Sequence, residues 1–191
     1  MVEYLVQNWQ DAFDKCFSLY LQIKTADYVP DMIVGIARGG WVPARLLADF
    51  MGTKNTLNIK VEAYELIGET DVEAKITQDI TSNIEGKSIL VVDDIADTGS
   101  SLEVVIESLV AKKVKDYRIA TLYYKDKSSI IPDFYCQLTS AWVVFPWEIF
   151  ETLSELRENL ASEGKSVDEM KSQFREIGLP PQLIESYFNH Y

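Results

Sequence analysis

"KSILVVDDIADTGSSLEVVIESLVAKK", residues 87–113, runs from an apolar stretch through three aspartates into small turn-type residues and then into a helical pattern. Residues 87–94 are nearly continuous in apolar side chains up to the paired Asp93 and Asp94. That predicts a strand covered on both faces, central in a parallel sheet. "GSSLEVVIESLVAKK" predicts the helix that follows. With the strand ending near Val92, Asp93, Asp94 and Asp97 fall at its carboxyl end, where an open parallel sheet holds its ligands. Residues 97–101, "DTGSS", then place free N–H groups and hydroxyls at a helix N-terminus, whose positive dipole end and orphan donors suit a phosphate. Carboxylates can accept hydrogen bonds from sugar hydroxyls while such a loop takes a phosphate on the same sugar. A ribose 5-phosphate satisfies both halves; the plain alternative is a strand end with solvated acids and a capped helix.

Outward from this stretch the same alternation recurs. "DMIVGIA" (31–37) is a short β-branched run, and "RGGWVPARLLADFMG" turns through two glycines into a helix closing at Gly52. "TLNIKVEAY" (56–64) alternates as a strand does, "KITQDI" (75–80) is a shorter one, and "YRIATLYY" (117–124) follows the central helix. Between them, residues 65–74 carry four acids and no clean period, which predicts a mobile loop or hairpin. Strand and helix in alternation give an α/β fold with an open, mostly parallel sheet flanked by helices. Residues 3–23 predict a packing helix whose buried face is Leu5, Trp9, Phe13, Cys16, Phe17 and Tyr20. After residue 147 the pattern turns helical: 148–160, then a capping box at Ser166–Glu169, then a helix led by Pro. The division expected is an N-terminal helix (1–29), an α/β domain with a small hood (30–147) and a helical C-terminal extension (148–191). Its aromatic end, "SYFNHY", needs burial, which points to a subunit contact or a lid.

Composition narrows the chemistry. A formal charge of −12 gives no electrostatic footprint for nucleic acid, so an anionic substrate must be held by a local device. No apolar run reaches the length of a membrane span, and the first residues carry neither a basic leader nor an apolar signal core. A soluble, cytoplasmic protein is expected. Cys16 and Cys136 lack neighbours at ligand spacing and His190 is the sole histidine, so acid–base work falls to carboxylates, Lys or Tyr.

The run from Asp93 to Ser101 resembles the signature of the type I phosphoribosyltransferases, in which two adjacent acids follow an apolar strand and lead into D-T-G-x-T. By that resemblance Asp93 and Asp94 bind the ribose diol of phosphoribosyl pyrophosphate (PRPP), and Asp97, Thr98, Gly99, Ser100 and Ser101 bind its 5-phosphate. "GIARGGWVPARLLADFMG" (35–52) is similar to the family's pyrophosphate loop, especially in bacterial xanthine-guanine enzymes. This implies that Arg38 and Gly39 contact the pyrophosphate, usually through a non-proline cis peptide. The side-chain chemistry agrees, since glycines permit close backbone approach and an Arg fork suits phosphate. "TLYYK" and "AWVVFPWE" resemble the segments that hold the base in the 6-oxopurine enzymes. They imply Lys125 at the purine O6, Trp142 stacked on the ring, the Val143 backbone at position 2, and Glu148 in the place of an Asp. Lys127 is a rival to Lys125, and Trp142 and Trp147 also read as core or interface residues.

The resemblance covers roughly residues 30–150 and implies transfer of phosphoribosyl from PRPP to a 6-oxopurine, in purine salvage, by a homodimer or larger homo-oligomer. It also implies Mg²⁺, held by Asp94 with Asp93 nearby, and Asp97 as the general acid or base at purine N7. Crowding by Asp93 and Asp94 predicts a raised proton affinity for Asp97. The alternatives are a non-catalytic sensor of PRPP or a nucleotide, and adenine as the base. Residues 65–74 contain neither the Ser-Tyr pair nor the Arg of the family's mobile loops.

Overall fold

A computed structural model describes residues 3–65 and 72–190. The chain divides into two compact units, Ala12–Ser140 and a smaller one made of Met1–Asp11 with Ala141–Tyr191.

The larger unit is built on a six-stranded sheet. Its strands are β2 (Met32–Ala37), β3 (Thr56–Glu65), β4 (Val72–Gln78), β5 (Ser88–Ala96), β6 (Asp116–Tyr124) and β7 (Phe134–Leu138), in the order β4-β3-β2-β5-β6-β7. Every pairing is parallel except β3 with β4. β5 is central, as its apolar run predicts. Ile89 and Val91 enter a core with Val34, Ile36 and Ile59 and with Leu102, Val105 and Leu109 of helix α3 (Ser100–Ala111). Leu90 and Val92, which point to the opposite face, are equally buried. At the segment expected as a loop or hairpin, β3 and β4 pair antiparallel as far as Glu65 opposite Val72, and the rest of that expectation, residues 66–71, lies outside the described residues.

Helix α1 spans Trp9–Thr25 rather than starting near residue 3. Asn8 and Asp11 close its first turn reciprocally: Asn8 Oδ1 accepts from the Asp11 N–H at 2.9 Å, and Asp11 Oδ2 accepts from the Asn8 N–H at 3.2 Å. The inward stripe is Ala12, Cys16, Leu19 and Ile23. Phe13 and Phe17 stay 43% and 45% exposed, edge-on to the Phe50 ring. Both stripes are apolar at helical spacing, so periodicity alone does not choose between them. Ala12, Cys16, Leu19 and Ile23 are buried, and the bulky rings are left outside.

In the smaller unit, β1 (Tyr4–Val6) pairs in parallel with β8 (Trp142–Val144). Helices α4 (Ile149–Ser162), α5 (Val167–Glu176) and α6 (Pro181–His190) complete it. One core joins them, with Val144, Leu153, Met170, Phe174, Ile184 and Tyr187 buried and Tyr4 and Val6 packed against it. The boundaries therefore differ from those at 29/30 and 147/148, because Val144 belongs to the core of the helices. Tyr187 and Phe188 of the tail's aromatic end find packing here, and Tyr191 lies outside the described residues. Tyr187 is buried and its hydroxyl donates to Ser154 Oγ at 3.0 Å, and Phe188 stacks on Phe174. Tyr187 and Phe188 thus give no motive of their own for a subunit contact or lid. No helix among the described residues is long and apolar enough to cross a membrane.

Candidate active site

The sheet order locates a crevice. From β2 the chain passes through helix α2 (Trp41–Phe50) to β3 on one side, whereas from β5 it passes through α3 to β6 on the other. Connections leaving in opposite directions from adjacent parallel strands open a cleft at their carboxyl ends. The two loops singled out from the sequence, 38–40 and 97–99, sit at those ends. β5 is longer than expected: its pairing with β2 ends at Gly35 opposite Val92, but pairing with β6 continues to Ala96 opposite Tyr124. Asp93 and Asp94 thus lie within the strand, held on one side by β6 where β2 has stopped pairing.

Both carboxylates are buried. Asp93 Oδ1 accepts from the Asp94 N–H at 3.0 Å. The Asp94 carboxylate lies so close to Gly39 that a Cβ there would overlap it. Glycine is therefore required for this backbone to pass the acid. The Ala37–Arg38 peptide is cis, as the family resemblance implies. Arg38 is exposed just beyond it, its carbonyl accepting from the Trp41 N–H at 3.2 Å.

On the other side of the crevice, Gly99 caps α3 with a φ of +92°, and a side chain there would meet Ser129 Oγ. Thr98 Oγ1 and Ser100 Oγ are 2.9 Å apart. Ser129 braces this loop from behind: its N–H donates to the Thr98 carbonyl at 2.8 Å and its hydroxyl to the same oxygen at 3.1 Å. Sequence reasoning passed over Ser128 and Ser129; the signal available was the run of hydroxyls in "KDKSS", right after Lys125.

Asp97 differs from expectation in its proton affinity. Burial raises it, but hydrogen bonds and charge from Lys127 and Lys125 outweigh burial and hold the carboxyl below its usual range. Lys125 Nζ lies 3.0 Å from Oδ2 and Lys127 Nζ 2.7 Å from Oδ1. What raises it is burial rather than the crowding acids expected to, and cations from a different strand end outweigh it. Of the two lysines, Lys125 is the buried one, its side chain 8% exposed against 58% for Lys127. The thiols add no nucleophile, since burial, with Cys136 nearby, pushes Cys16 up to about 12.

The remaining candidates, Trp142, Val143 and Glu148, belong to the smaller unit. Trp142 is 45% exposed at the start of β8, while Val143 is buried opposite Leu5 of β1. Glu148 Oε1 accepts from the Phe145 N–H at 3.2 Å, closing the turn that leads into α4. Phe145 and Trp147 stack face to face, 4.8 Å between centroids and 8° between planes. Trp147 thus has a packing role, and Trp142 is the more exposed indole of the pair.

The sequence profile of the phosphoribosyl transferase domain matches residues 6–150. The chain is 29% identical over 119 residues to the xanthine-guanine phosphoribosyltransferase of Idiomarina loihiensis, covering 61% of this chain and 70% of the relative. It is 33% identical over 118 residues to that of Gluconobacter oxydans, covering 61% and 67%. Among solved structures, a purine phosphoribosyltransferase from Pyrococcus horikoshii superposes with a TM-score of 0.69 at 34% identity, over 76% of this chain and 93% of that one.

Proposed function

The chain belongs to the phosphoribosyl transferase domain family, and from that premise we propose that it transfers phosphoribosyl from PRPP to a 6-oxopurine, guanine, xanthine or hypoxanthine, with release of pyrophosphate. The observation that carries this reading is the crevice between β2 and β5, where two buried aspartates stand between two loops suited to anions.

In the reaction the C1′–oxygen bond to pyrophosphate breaks, a C1′–N9 bond forms, and the purine gives up a proton. Thr98, Gly99, Ser100 and Ser101 hold the 5-phosphate at the start of α3, with Asp93 and Asp94 on the ribose hydroxyls. Arg38 and the Gly39 backbone hold the pyrophosphate, where preorganised donors stabilise the charge that develops as it leaves. Asp97, ionised because two lysines hold it so, receives the N7 proton as a carboxylate. Lys125 donates to O6, Trp142 stacks on the ring, the Val143 backbone faces position 2, and Glu148 supports the turn beyond it.

Magnesium fits the donor set. Among the described residues no cluster of three or more metal-ligating side chains exists, and Mg²⁺ asks for only one or two carboxylates besides substrate oxygens and water. Asp94, with Asp93 beside it, would hold the ion, which supplies charge neutralisation to the pyrophosphate. Assembly as a homodimer or larger homo-oligomer belongs to the same reading, supported by the exposed Phe13, Phe17 and Leu21 on one face of α1.

The test is incubation of the protein with PRPP, Mg²⁺ and each of adenine, hypoxanthine, guanine and xanthine, following nucleotide formation. Product from one or more 6-oxopurines and not from adenine is expected. Product from adenine alone would reassign the base, and no product from any base would favour a sensor of PRPP or nucleotide.

A further inference from the structure

Lys127 touches no substrate in the transfer as described, yet it makes the shorter of the two ion pairs to Asp97. The turn that carries it is tied both to the end of β5 and to the loop after it. The Lys125 N–H donates to the Ala96 carbonyl at 2.9 Å, and the Ser129 N–H donates to the Thr98 carbonyl at 2.8 Å. Between these ties the Ser128 N–H returns to the Lys125 carbonyl at 3.0 Å, closing a turn. Both ammonium groups of "KDK" therefore come back to one carboxylate, one on each oxygen. The charged groups near Asp97 in sequence are Asp93 and Asp94 on the strand before it, and from the other strand end come Lys125, Asp126 and Lys127 in this turn; the two lysines are the charges that shift it.

Resting on the proposed transfer reaction, we propose that Lys127 is a positioning residue: it pins Asp97 Oδ1 and so leaves Oδ2, the oxygen shared with Lys125, as the one presented to the purine. The two ammonium groups are not equivalent. Lys125 is buried, and its three donors allow it to serve Asp97 and a purine O6 together. Lys127 is more than half exposed and reaches in from solvent, so it holds the carboxylate without closing the base site. When a purine draws on Lys125, Lys127 is the cation still committed to Asp97. It keeps the carboxylate ionised and stops it from turning after Lys125.

The sequence around Lys127 gives this a specific test. Lys127→Met keeps the aliphatic stem and removes the charge, and Lys127→Arg keeps the charge. The readouts are kcat/KM for the preferred purine against pH, KM for PRPP, and the titration midpoint of the Asp97 carboxyl followed by ¹³C NMR. In Lys127→Met the carboxyl midpoint and the acid limb of kcat/KM should both move to higher pH, because a cation that favours the ionised form is gone. At neutral pH kcat/KM should fall about two- to fivefold, the range set by one solvent-accessible ion pair. PRPP KM should not change, Lys127→Arg should restore the wild-type profile, and added salt should narrow the difference. An active wild type whose midpoint and acid limb are unmoved in Lys127→Met overturns the role of Lys127 alone. A wild type inactive on every purine overturns the transfer reaction and this role together.

Discussion

The two units hold their candidate residues by different means. In the larger one, Asp93, Asp94 and the 97–101 loop come from one continuous stretch, placed by a strand and the helix that directly follows it. In the smaller one, Trp142 and Val143 sit on a three-residue strand whose only partner in the two-stranded sheet is β1, more than a hundred residues away in sequence. Behind that strand, Val144 is packed among helices that follow it. A phosphate loop is a local device, since a strand end, a glycine and a helix N-terminus suffice. A platform for a planar base needs a rigid backing, and here the backing is assembled from the two ends of the chain.

If the division is functional, substitutions in the smaller unit should affect the purine alone, whereas those in the larger unit should reach turnover or PRPP. The largest effect is expected for Asp97→Asn, which keeps the shape and removes the proton acceptor. Turnover should fall about 10²- to 10⁴-fold, the range for a lost general base, with PRPP affinity little altered. Equal turnover in steady-state kinetics would remove Asp97 from the chemistry. Gly39→Ala comes next. Its Cβ would overlap the Asp94 carboxylate, so the acid or the loop must move. Displacement of about an ångström at a reacting centre costs on the order of 100-fold, and the loss should appear with PRPP, not with the purine.

How much of this is legible in sequence follows the same division. Residues 87–113 read correctly as strand, loop and helix because every signal there is local: the apolar run, the turn residues and the helix that follows. The extension of β5 through Ala96 was hidden, since two aspartates look like the end of a strand. They stay in it because β6 pairs alongside as far as Tyr124. The proton affinity of Asp97 was misread for a related reason: Asp93 and Asp94 are neighbours in sequence, whereas Lys125 and Lys127 reach it from the end of another strand. At the N-terminus the long apolar period runs past Asn8 and Asp11, whose mutual hydrogen bonds start the helix. The pairing of Tyr4–Val6 with Trp142–Val144 carries no local signal at all.

In the smaller unit the effects should be milder and confined to the purine. Trp142→Ala removes a half-exposed indole whose strand is backed by Val143 and Val144, so the fold should persist. Loss of one stacking partner for a base, worth about 1–3 kcal/mol, should raise purine KM at least fivefold and leave PRPP KM as it was. Comparable rises in both constants would show that the smaller unit does not serve the purine alone.

The smallest effect is the most discriminating, because it disturbs the helical backing without touching the strand. Ser166 caps α5 reciprocally: its hydroxyl accepts from the Glu169 N–H, and its own N–H donates to Glu169 Oε2 at 2.8 Å. Ser166→Ala removes the side-chain half of this box. Loss of such a cap lowers the melting temperature of a chain this size by about 2–4 °C. The backbone N–H of Ser166, followed by its hydroxyl, holds the Glu169 carboxyl below its ordinary value. A carboxyl whose folded value is depressed lends stability that is present above its unfolded value and lost as pH falls through the folded one. The gap in melting temperature between wild type and Ser166→Ala should therefore be full at neutral pH and narrow on acidification. Purine KM should stay unchanged throughout, since Met170 and Phe174 of α5 remain buried against the core that Val144 shares. If purine KM rises with so small a loss of stability, the helices act on the base strand itself, and the backing is part of the site.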